Sequence, residues 1–378
     1  MHPDVPTNPD LPEASPAARR GGRLGTVLVA VMGLLLLALF AVTVLGRTIR
    51  GPGPVLLVAT TLLPFLYAAY GVAAFGLWCV VPDRRTLPVF LTLAALGAGI
   101  LWGPSFPARP ETSEGLPLTV ASWNVQRLWG GEEGTDAAAC VIDELRSIDP
   151  DVLTLLEVSA DNVDRLSAEL DLDCVHTDYF GTGRTDRGGL AVCVASERLR
   201  LSGRALRFSD EDSWRYVAVE VDAGVRPFNV LGVHLQPYWP LTGAVMRDSV
   251  TVLAQGETGP ILDVTRDSTE VVARQGAQSV ALLDRVSRYT DPTIVAGDFN
   301  STRDSALHAT LRRSFVDTWA RGGQGFGATV HALGWLPLRV DYIYATPDFA
   351  VGGSRLGPSR CADHRPVVSS LVLRADER

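Results

Sequence analysis

Eight residues of this chain stand at or beside the ends of apolar, β-branched runs and carry side chains that can do chemistry. Asn124 ends one run, Glu157 ends another, and His234 lies near the end of a third. The remaining five are Asp298, Asn300, Asp341, Asp363 and His364. Carboxylate and amide oxygens bind hard divalent cations, and imidazoles exchange protons near neutral pH. If the run ends converge, these side chains would line one pocket suited to metal-assisted or acid–base chemistry.

The elements that must position these residues can be read from the apolar pattern between residues 116 and 378. Short β-branched runs predict strands, and apolar residues at helical spacing predict helices. The predicted strands cover 118–124, 152–157, 190–195, 216–221, 228–235, 292–300, 340–345 and 366–373. The predicted helices cover 135–147, 161–170 and 268–289. Strands mixed with helices over this length indicate one domain of the α/β class.

The run ends belong to six short motifs that follow one another along the chain. In order, they are SWNVQ, LTLLEVS, GVHLQP, AGDFN, VDYIY and ADHRP. Their order and spacing resemble the endonuclease/exonuclease/phosphatase (DNase-I-like) superfamily over about residues 116–378. The resemblance implies a four-layer α/β sandwich, with two packed mixed sheets flanked by helices and a pocket at one end. An apolar N-terminal region before such a domain is similar to a membrane-anchored bacterial branch, the glycopeptide-resistance membrane proteins of actinomycetes.

The resemblance implies a metal site built from three residues. Glu157 and Asn124 match the family's main metal position, and Asp363 would contribute to that ion or to a second one. Mg²⁺ or Mn²⁺ is therefore the expected cofactor, because these ions prefer oxygen ligands. Structural interpretations stay open: Asn124 could cap the turn after its strand, and Glu157 could be a solvated strand end.

The other five residues take catalytic roles in the resemblance. Asp298 and Asn300 match the pair that orients the attacking water and contacts the phosphoryl oxygens. His364 matches the histidine at the scissile phosphate, and Asp341 would hold that imidazole cationic. His234 matches a general acid. The alternatives are an Asx turn for Asp298 and Asn300, a structural acceptor for Asp341, and a core histidine for His234.

Other polar residues have weaker claims on a site. Three arginines could contact phosphate, although each also fits a solvated loop: Arg127, Arg184 and Arg187. The histidines outside the motifs are expected at the surface: His2, His176, His308 and His331. An apolar and aromatic insertion at 236–267 could wall the pocket, touch lipid headgroups or pack as an ordinary insertion.

Composition separates an apolar N-terminal region from an acidic remainder. The 378-residue chain is 47% hydrophobic with a mean hydropathy of +0.16, which excludes a disordered or collagen-like chain. Residues 116–378 carry a net charge of −10, which disfavours a mainly electrostatic nucleic-acid binder. All 34 basic residues are arginine, which excludes Schiff-base lysine chemistry and a P-loop lysine.

Three uncharged runs predict transmembrane helices: one between Arg23 and Arg47, one at 51–82, and one from 87 to about 106. The flanking arginines favour a cytoplasmic N-terminus, so that three spans leave the C-terminal domain extracytoplasmic. No ionisable residue lies inside a span, which argues against transport. The predicted organisation is a disordered cytoplasmic tail at 1–22, an anchor in the cell membrane at 23–106, a linker at 107–117 and a catalytic domain at 118–378.

Four of the five cysteines lie outside the apolar runs, and none of them has CxxC spacing, so a zinc site is not expected. Cys193 lies in an apolar strand and is expected to be a buried thiol. An extracytoplasmic location permits disulfides, and Cys140 with Cys174 is one open pairing.

These features predict a membrane-anchored, extracytoplasmic, metal-dependent hydrolase of a phosphate ester, phosphodiester or pyrophosphate. Its partner would be a phosphate-containing substrate, and the membrane anchor makes a lipid-carrier pyrophosphate a candidate. Two alternatives stay open. One is an extracellular nuclease, and the other is a non-catalytic membrane sensor or interaction module.

Overall fold

The computed structural model describes residues 16–49, 54–80, 87–102, 111–128, 137–179, 188–208, 212, 214–237, 259–332, 336–358 and 360–375. The chain forms two compact units. Unit 1 contains Met1–Thr43 and Leu62–Leu101. Unit 2 contains Val44–Thr61 and Trp102–Arg378.

Three apolar helices come first in the chain: α1 (Pro16–Thr48), α2 (Pro54–Val80) and α3 (Leu87–Trp102). Two stretches are long and apolar enough to cross a membrane, Gly25–Thr48 in α1 and Ala59–Val80 in α2. The first stretch would also fit a signal sequence. Large apolar side chains are exposed on these helices, among them Leu34 and Val72, as expected of surfaces that contact lipid.

The third helix is shorter than the sequence predicts. α3 has 16 residues, or about 24 Å at 1.5 Å per residue, whereas a hydrocarbon core is roughly 30 Å thick. The third span therefore stays a prediction, and residues 103–106 at its end lie outside the described residues. α1 begins at Pro16, within the stretch 1–22 that the sequence predicts as a tail, and residues 1–15 are not described; the tail stays a prediction.

Most of unit 2 is built on two six-stranded sheets and one short hairpin. Sheet A contains β1 (Gly115–Leu128), β2 (Val152–Val158), β3 (Leu172–Asp178), β4 (Gly189–Ala195), β13 (Phe349–Leu356) and β14 (Val367–Arg374), in the spatial order β13-β14-β1-β2-β4-β3. Sheet B contains β5 (Arg200–Arg207), β6 (Arg215–Asp222), β7 (Phe228–His234), β8 (Thr293–Asp298), β9 (Val316–Asp317) and β12 (Asp341–Ala345), in the order β5-β6-β7-β8-β12-β9. The hairpin pairs β10 (Val330–Ala332) with β11 (Leu336–Leu338).

Helices cover the outer face of each sheet. These helices are α4 (Ala137–Ile148), α5 (Ala160–Leu170), α6 (Gly259–Val286) and α7 (Ala306–Leu311), whereas α8 (Thr318–Gly322) packs against β12 and β13, one strand of each sheet. The buried face of α4, with Val141, Ile142 and Leu145 at helical spacing, packs on sheet A together with α5. Residues of α6 and α7 pack on sheet B, and a third apolar core fills the space between the sheets. The predicted α/β sandwich is confirmed.

Strand register brings the polar run ends together. Parallel β7 and β8 place His234 opposite Asp298, and antiparallel β8 and β12 place Asp298 opposite Asp341. In sheet A, parallel β1 and β2 place Asn124 opposite the residue that precedes Glu157. The central strands are buried on both faces, which explains why their sequences are continuous apolar runs that end in a polar residue.

The disulfides differ from the pairing considered in the sequence. Cys140 on α4 is bonded to Cys361, and Cys174 on β3 is bonded to Cys193, its direct partner on β4. The expectation of a buried thiol at Cys193 is therefore wrong, as is the Cys140–Cys174 pairing. Pairing depends on which elements become neighbours, and β3 was not among the predicted strands.

Candidate active site

Glu157 and Asn124 meet at the carboxyl ends of β2 and β1. Glu157 adopts a left-handed backbone with φ of 56°, a conformation that is uncommon outside glycine and that often marks functional sites. Its backbone N–H donates a hydrogen bond to the Tyr179 hydroxyl at 2.8 Å. The amide nitrogen of Asn124 donates to Glu157 Oε1 at 3.1 Å and to Asp298 Oδ2 at 3.2 Å, so one side chain joins the carboxylates of both sheets.

Asp298 and Asn300 form the turn that follows β8. The Asn300 N–H donates to Asp298 Oδ1 at 2.8 Å, and the Asn300 side-chain amide donates to the Leu235 carbonyl at 2.9 Å. The Asx turn offered as a structural alternative is therefore present, yet it also fixes the Asp298 carboxylate with Oδ2 toward Asn124. Gly297 is required before it, because a Cβ there would overlap the Val233 carbonyl of β7.

Asp341 and His364 form a buried ion pair. His364 Nδ1 lies 2.7 Å from Asp341 Oδ2, and the Trp123 indole N–H donates to the His364 carbonyl at 2.9 Å. Burial alone would lower the pKa of His364, but the charge on Asp341 and its hydrogen bond outweigh this and raise the pKa to about 10. A pKa of about 10 favours the cationic form of His364 at neutral pH.

His234 lies in the opposite electrostatic situation. It is 3% exposed, its Nδ1 lies 2.6 Å from the Tyr179 hydroxyl, and its Nε2 is 3.7 Å from Asp298 Oδ2. Burial lowers the pKa of His234 to about 4, so the ring is neutral at pH 7. Burial, together with the charge on Asp341, raises the pKa of Asp298 well above that of an ordinary aspartate.

Asp363 lies on the segment that leads into His364. Its side chain is exposed, and its N–H donates to the Gln126 side chain at 3.3 Å. The Cys140–Cys361 disulfide and a hydrogen bond from the Arg360 N–H to Glu144 tie this segment to α4. The segment that carries Asp363 and His364 is therefore held in place by contacts with residues far away in the sequence.

The donor set fits a hard divalent cation. Among the described residues, ligand atoms of Asp298, Asp341 and His364 lie within 4.8 Å of one another, and Glu157 joins this group through Asn124. Asp341 Oδ1 is buried and has no hydrogen-bond partner, which leaves an unpaired oxygen in the group. Several carboxylates around one imidazolium leave excess negative charge, and oxygen donors of this kind suit Mg²⁺ or Mn²⁺.

Two aromatic residues of the site were missed in the sequence. Tyr179 follows β3, and Trp214 precedes β6; their rings stack at 4.8 Å. Trp214 donates its indole N–H to the His234 carbonyl at 2.5 Å. Tyr179 directly follows a strand, as several of the predicted site residues do. This strand, β3 (LDCVHTD), was not predicted because it lacks a continuous apolar run.

The other predicted positions have mixed outcomes. His308 is fully buried, so its expected surface position is wrong; Tyr344 and Ser301, from other elements, enclose it. His331 is exposed as expected, and His176 is partly buried. The remaining positions lie outside what the structure describes: His2, Arg184, Arg187, the side chain of Arg127 and the insertion from 238 to 258. From Gly259, the predicted insertion is already helix α6.

The resemblance to a known family extends well beyond the six short motifs. The model of the Endonuclease/Exonuclease/phosphatase family matches residues 121–364, more than half of the chain. This chain belongs to that family. The match spans the site from β1 to His364, and the family name denotes nucleases and phosphatases, which hydrolyse phosphoester bonds. No curated protein matches the chain.

Solved structures support the same fold. The endonuclease/exonuclease/phosphatase from Bacteroides vulgatus has a TM-score of 0.52 at 13% identity, covering 68% of this chain and 99% of that one. A functionally unknown protein from Enterococcus faecalis V583 has a TM-score of 0.50 at 16% identity, covering 68% and 100%. Humanized D. rerio TDP2 has a TM-score of 0.50 at 16% identity, covering 68% and 98%. At these identities the likeness shows the fold alone.

Proposed function

We propose that this chain is a membrane-anchored phosphoesterase that uses Mg²⁺ or Mn²⁺ and works on the extracytoplasmic side of the cell membrane. One observation carries the proposal: Asp298, Asp341 and His364 converge within 4.8 Å, next to Asn124 and Glu157. When bound, the divalent cation would neutralise charge that develops on the phosphoryl oxygens. In this proposal Glu157, Asn124 and Asp363 hold the cation.

The protein's own groups divide the remaining work. Asp298, fixed by the Asn300 N–H, orients the attacking water, and its raised pKa suits it to accept a proton from that water. Asn300 contacts the phosphoryl group. His364, kept cationic by Asp341, stabilises the negative charge that builds on the phosphoryl oxygens. His234 faces the same space across Asp298.

Two features support the extracytoplasmic side. The domain has two disulfides, and such bonds persist in oxidising compartments and are rare in the cytosol. The arginine bias of the apolar runs favours a cytoplasmic N-terminus, and three spans then place the domain outside. Reporter fusions at the C-terminus test this topology, and an active cytoplasmic reporter there would contradict it.

A lipid-linked substrate is the favoured class. Within unit 2, Arg47 near the end of α1 pairs with Asp304, Nη2 to Oδ1 2.6 Å, and Asp304 lies shortly after Asn300. A membrane anchor in the same chain would keep the site near lipid, which suits a phosphate presented at a membrane surface. A lipid-carrier pyrophosphate or a phospholipid headgroup is thus preferred to a soluble ester.

The mechanism can be tested with three variants of the full chain in proteoliposomes. We expect Glu157→Gln, Asp298→Asn and His364→Ala each to lower kcat by at least about a hundredfold, because each removes a group that contacts the reacting phosphate or its cation. Glu220→Gln, the same change at an exposed position on β6, is the matched control and should keep full activity. Near-normal turnover in all three site variants would refute the mechanism.

The substrate class can be tested on the wild-type chain with Mg²⁺, assayed in parallel on polyprenyl pyrophosphate, a phospholipid panel and plasmid DNA. The proposal predicts phosphate or headgroup release from a lipid substrate. Cleavage of DNA alone would favour the nuclease alternative. Hydrolysis of none of them would favour the non-catalytic sensor or interaction module.

A further inference from the structure

Tyr179 has a buried hydroxyl group that lies between Glu157 and His234. The proposed mechanism gives this residue no role. It is 5% exposed, and its oxygen has two polar neighbours among the described residues. One is the backbone N–H of Glu157 at 2.8 Å, and the other is Nδ1 of His234 at 2.6 Å. The hydroxyl therefore links the predicted metal carboxylate to the second histidine.

The direction of these two hydrogen bonds fixes the proton on His234. Glu157 N–H can only donate, so the Tyr179 oxygen accepts from it. The hydroxyl hydrogen then has one described acceptor within reach, which is Nδ1 of His234. If Nδ1 carried a hydrogen instead, a buried O–H would be left without a partner, at a cost of about 1–3 kcal/mol. Nδ1 is thus the acceptor, and a neutral ring of this kind carries its hydrogen on Nε2.

The Nε2 side of His234 is open to a ligand. Asp298 Oδ2, which faces this nitrogen, is 3.7 Å away and too far for a hydrogen bond. Among the described residues, no carboxylate hydrogen-bonds to this imidazole as Asp341 does to His364. An Nε2–H that makes no hydrogen bond to a described residue can donate one to an oxygen of a bound phosphate.

The aromatic surroundings hold the ring in this orientation. Tyr179 meets His234 edge to face, with ring centroids 5.0 Å apart at 68°. Trp214 stacks on the other side of Tyr179 at 4.8 Å and donates its indole N–H to the His234 carbonyl at 2.5 Å. Ring and backbone of His234 are therefore held by the same two aromatic residues.

We propose that Tyr179 is a positioning residue that keeps His234 in the neutral tautomer with its hydrogen on Nε2, so that His234 donates a hydrogen bond to an oxygen of the bound phosphoryl group. This role replaces the general acid that the resemblance implies for His234, because a neutral imidazole is a poor proton donor and a good hydrogen-bond donor. The proposal rests on the proposed phosphoesterase function.

The first arm of the test reads the tautomer. In the full chain labelled with ¹⁵N-histidine, the ring signals of His234 are assigned by their loss in His234→Ala. We expect a proton on Nε2 only in the wild type and a mixture of tautomers in Tyr179→Phe. Tyr344→Phe, which removes a hydroxyl 2.9 Å from Nδ1 of His308, should leave the His234 signals unchanged. A wild-type ring protonated on Nδ1 would overturn the proposal.

The second arm is a double-mutant cycle on the hydrolysis of a phosphodiester. Tyr179→Phe should lower kcat about tenfold in the wild-type background and have no further effect in a His234→Ala background. A merely structural role, such as support of the Glu157 backbone, would lower activity equally in both backgrounds and would overturn the proposal. A wild type that hydrolyses no phosphoester would refute the proposed function instead, and the tautomer arm, which needs no turnover, would still decide this inference.

Discussion

Two buried tyrosine–histidine pairs in unit 2 share one motif and differ in what faces the second ring nitrogen. In each pair, a tyrosine hydroxyl lies close to Nδ1 of the histidine, 2.6 Å for Tyr179 with His234 and 2.9 Å for Tyr344 with His308. Nε2 of His308 lies 3.0 Å from Ser301 Oγ and 3.1 Å from the Ser301 carbonyl. Nε2 of His234 has no such protein partner among the described residues.

The difference separates a histidine of the core from a histidine of the site. His308 has both nitrogens engaged by the protein, so it stabilises the layer between α7 and β12. His234 is equally buried but keeps one nitrogen for a ligand. Burial and a tyrosine partner therefore do not identify a functional histidine, whereas an unfilled hydrogen-bonding position does.

The largest expected effect comes from truncating each histidine in turn. His234→Ala should lower kcat by about a hundredfold or more, because it removes a donor to the phosphoryl oxygens. His308→Ala should keep the kcat of the folded protein and lower its melting temperature, since Tyr344 and Ser301 lose their partner. The comparison would fail if both variants had the same kcat, measured alongside thermal unfolding.

The pH dependence of the free energy of unfolding tests whether His308 is a neutral histidine of the core. Burial, followed by the charge on Arg312, lowers the pKa of His308 from 6.5 to about 3. The unfolded chain takes up this proton below about pH 6.5 and the folded chain only near pH 3, so the stability from His308 is complete above pH 6.5 and declines as the pH falls.

At pH 5, this single group should lower the free energy of unfolding by about 2 kcal/mol relative to neutral pH. Denaturant titrations of wild type and His308→Gln at both pH values measure the effect. The variant cannot titrate at this position, so its free energy of unfolding should change less between the two pH values. An equal change in both proteins would rule out a neutral, buried His308.

Removing each of the two disulfides in turn should have a smaller effect on kcat, and only one of them holds a residue of the site. Cys140–Cys361 ties the segment of Asp363 and His364 to α4, whereas Cys174–Cys193 joins β3 and β4. We expect Cys140→Ser with Cys361→Ser to lower kcat a few-fold, because His364 is held less firmly. The control, Cys174→Ser with Cys193→Ser, should retain a higher kcat, with both proteins compared below their melting temperatures. A greater loss of kcat in the control would contradict the tether.

The fold could be predicted from the sequence where buried strands appear as continuous apolar runs. β2, β7 and β8 are buried on both faces, and their apolar runs stop at Glu157, His234 and Asp298, which located these run ends of the site. β3, β5 and β13 were missed, because edge strands such as RLSGRALR alternate weakly and contain glycine or charge.

The parts of the site that the sequence did not reveal depend on contacts between distant segments. Tyr179 gains its role only because β3 ends beside His234, and Cys361 finds Cys140 from 221 residues away. His308 lies in a short helix whose sequence gives no sign of Tyr344 above it. The spacing of residues along one helix or strand does not reveal such neighbours. They are set by the order of the strands in each sheet.

The most direct test of the account is the Mg²⁺ dependence of phosphodiester hydrolysis by the full chain, measured with bis-p-nitrophenyl phosphate after treatment with EDTA. The account predicts that the stripped wild type is inactive and recovers with added Mg²⁺ or Mn²⁺, while Glu157→Gln does not recover at the same concentrations. Full turnover in EDTA, or equal recovery by Glu157→Gln, would contradict a metal site at the ends of β1 and β2.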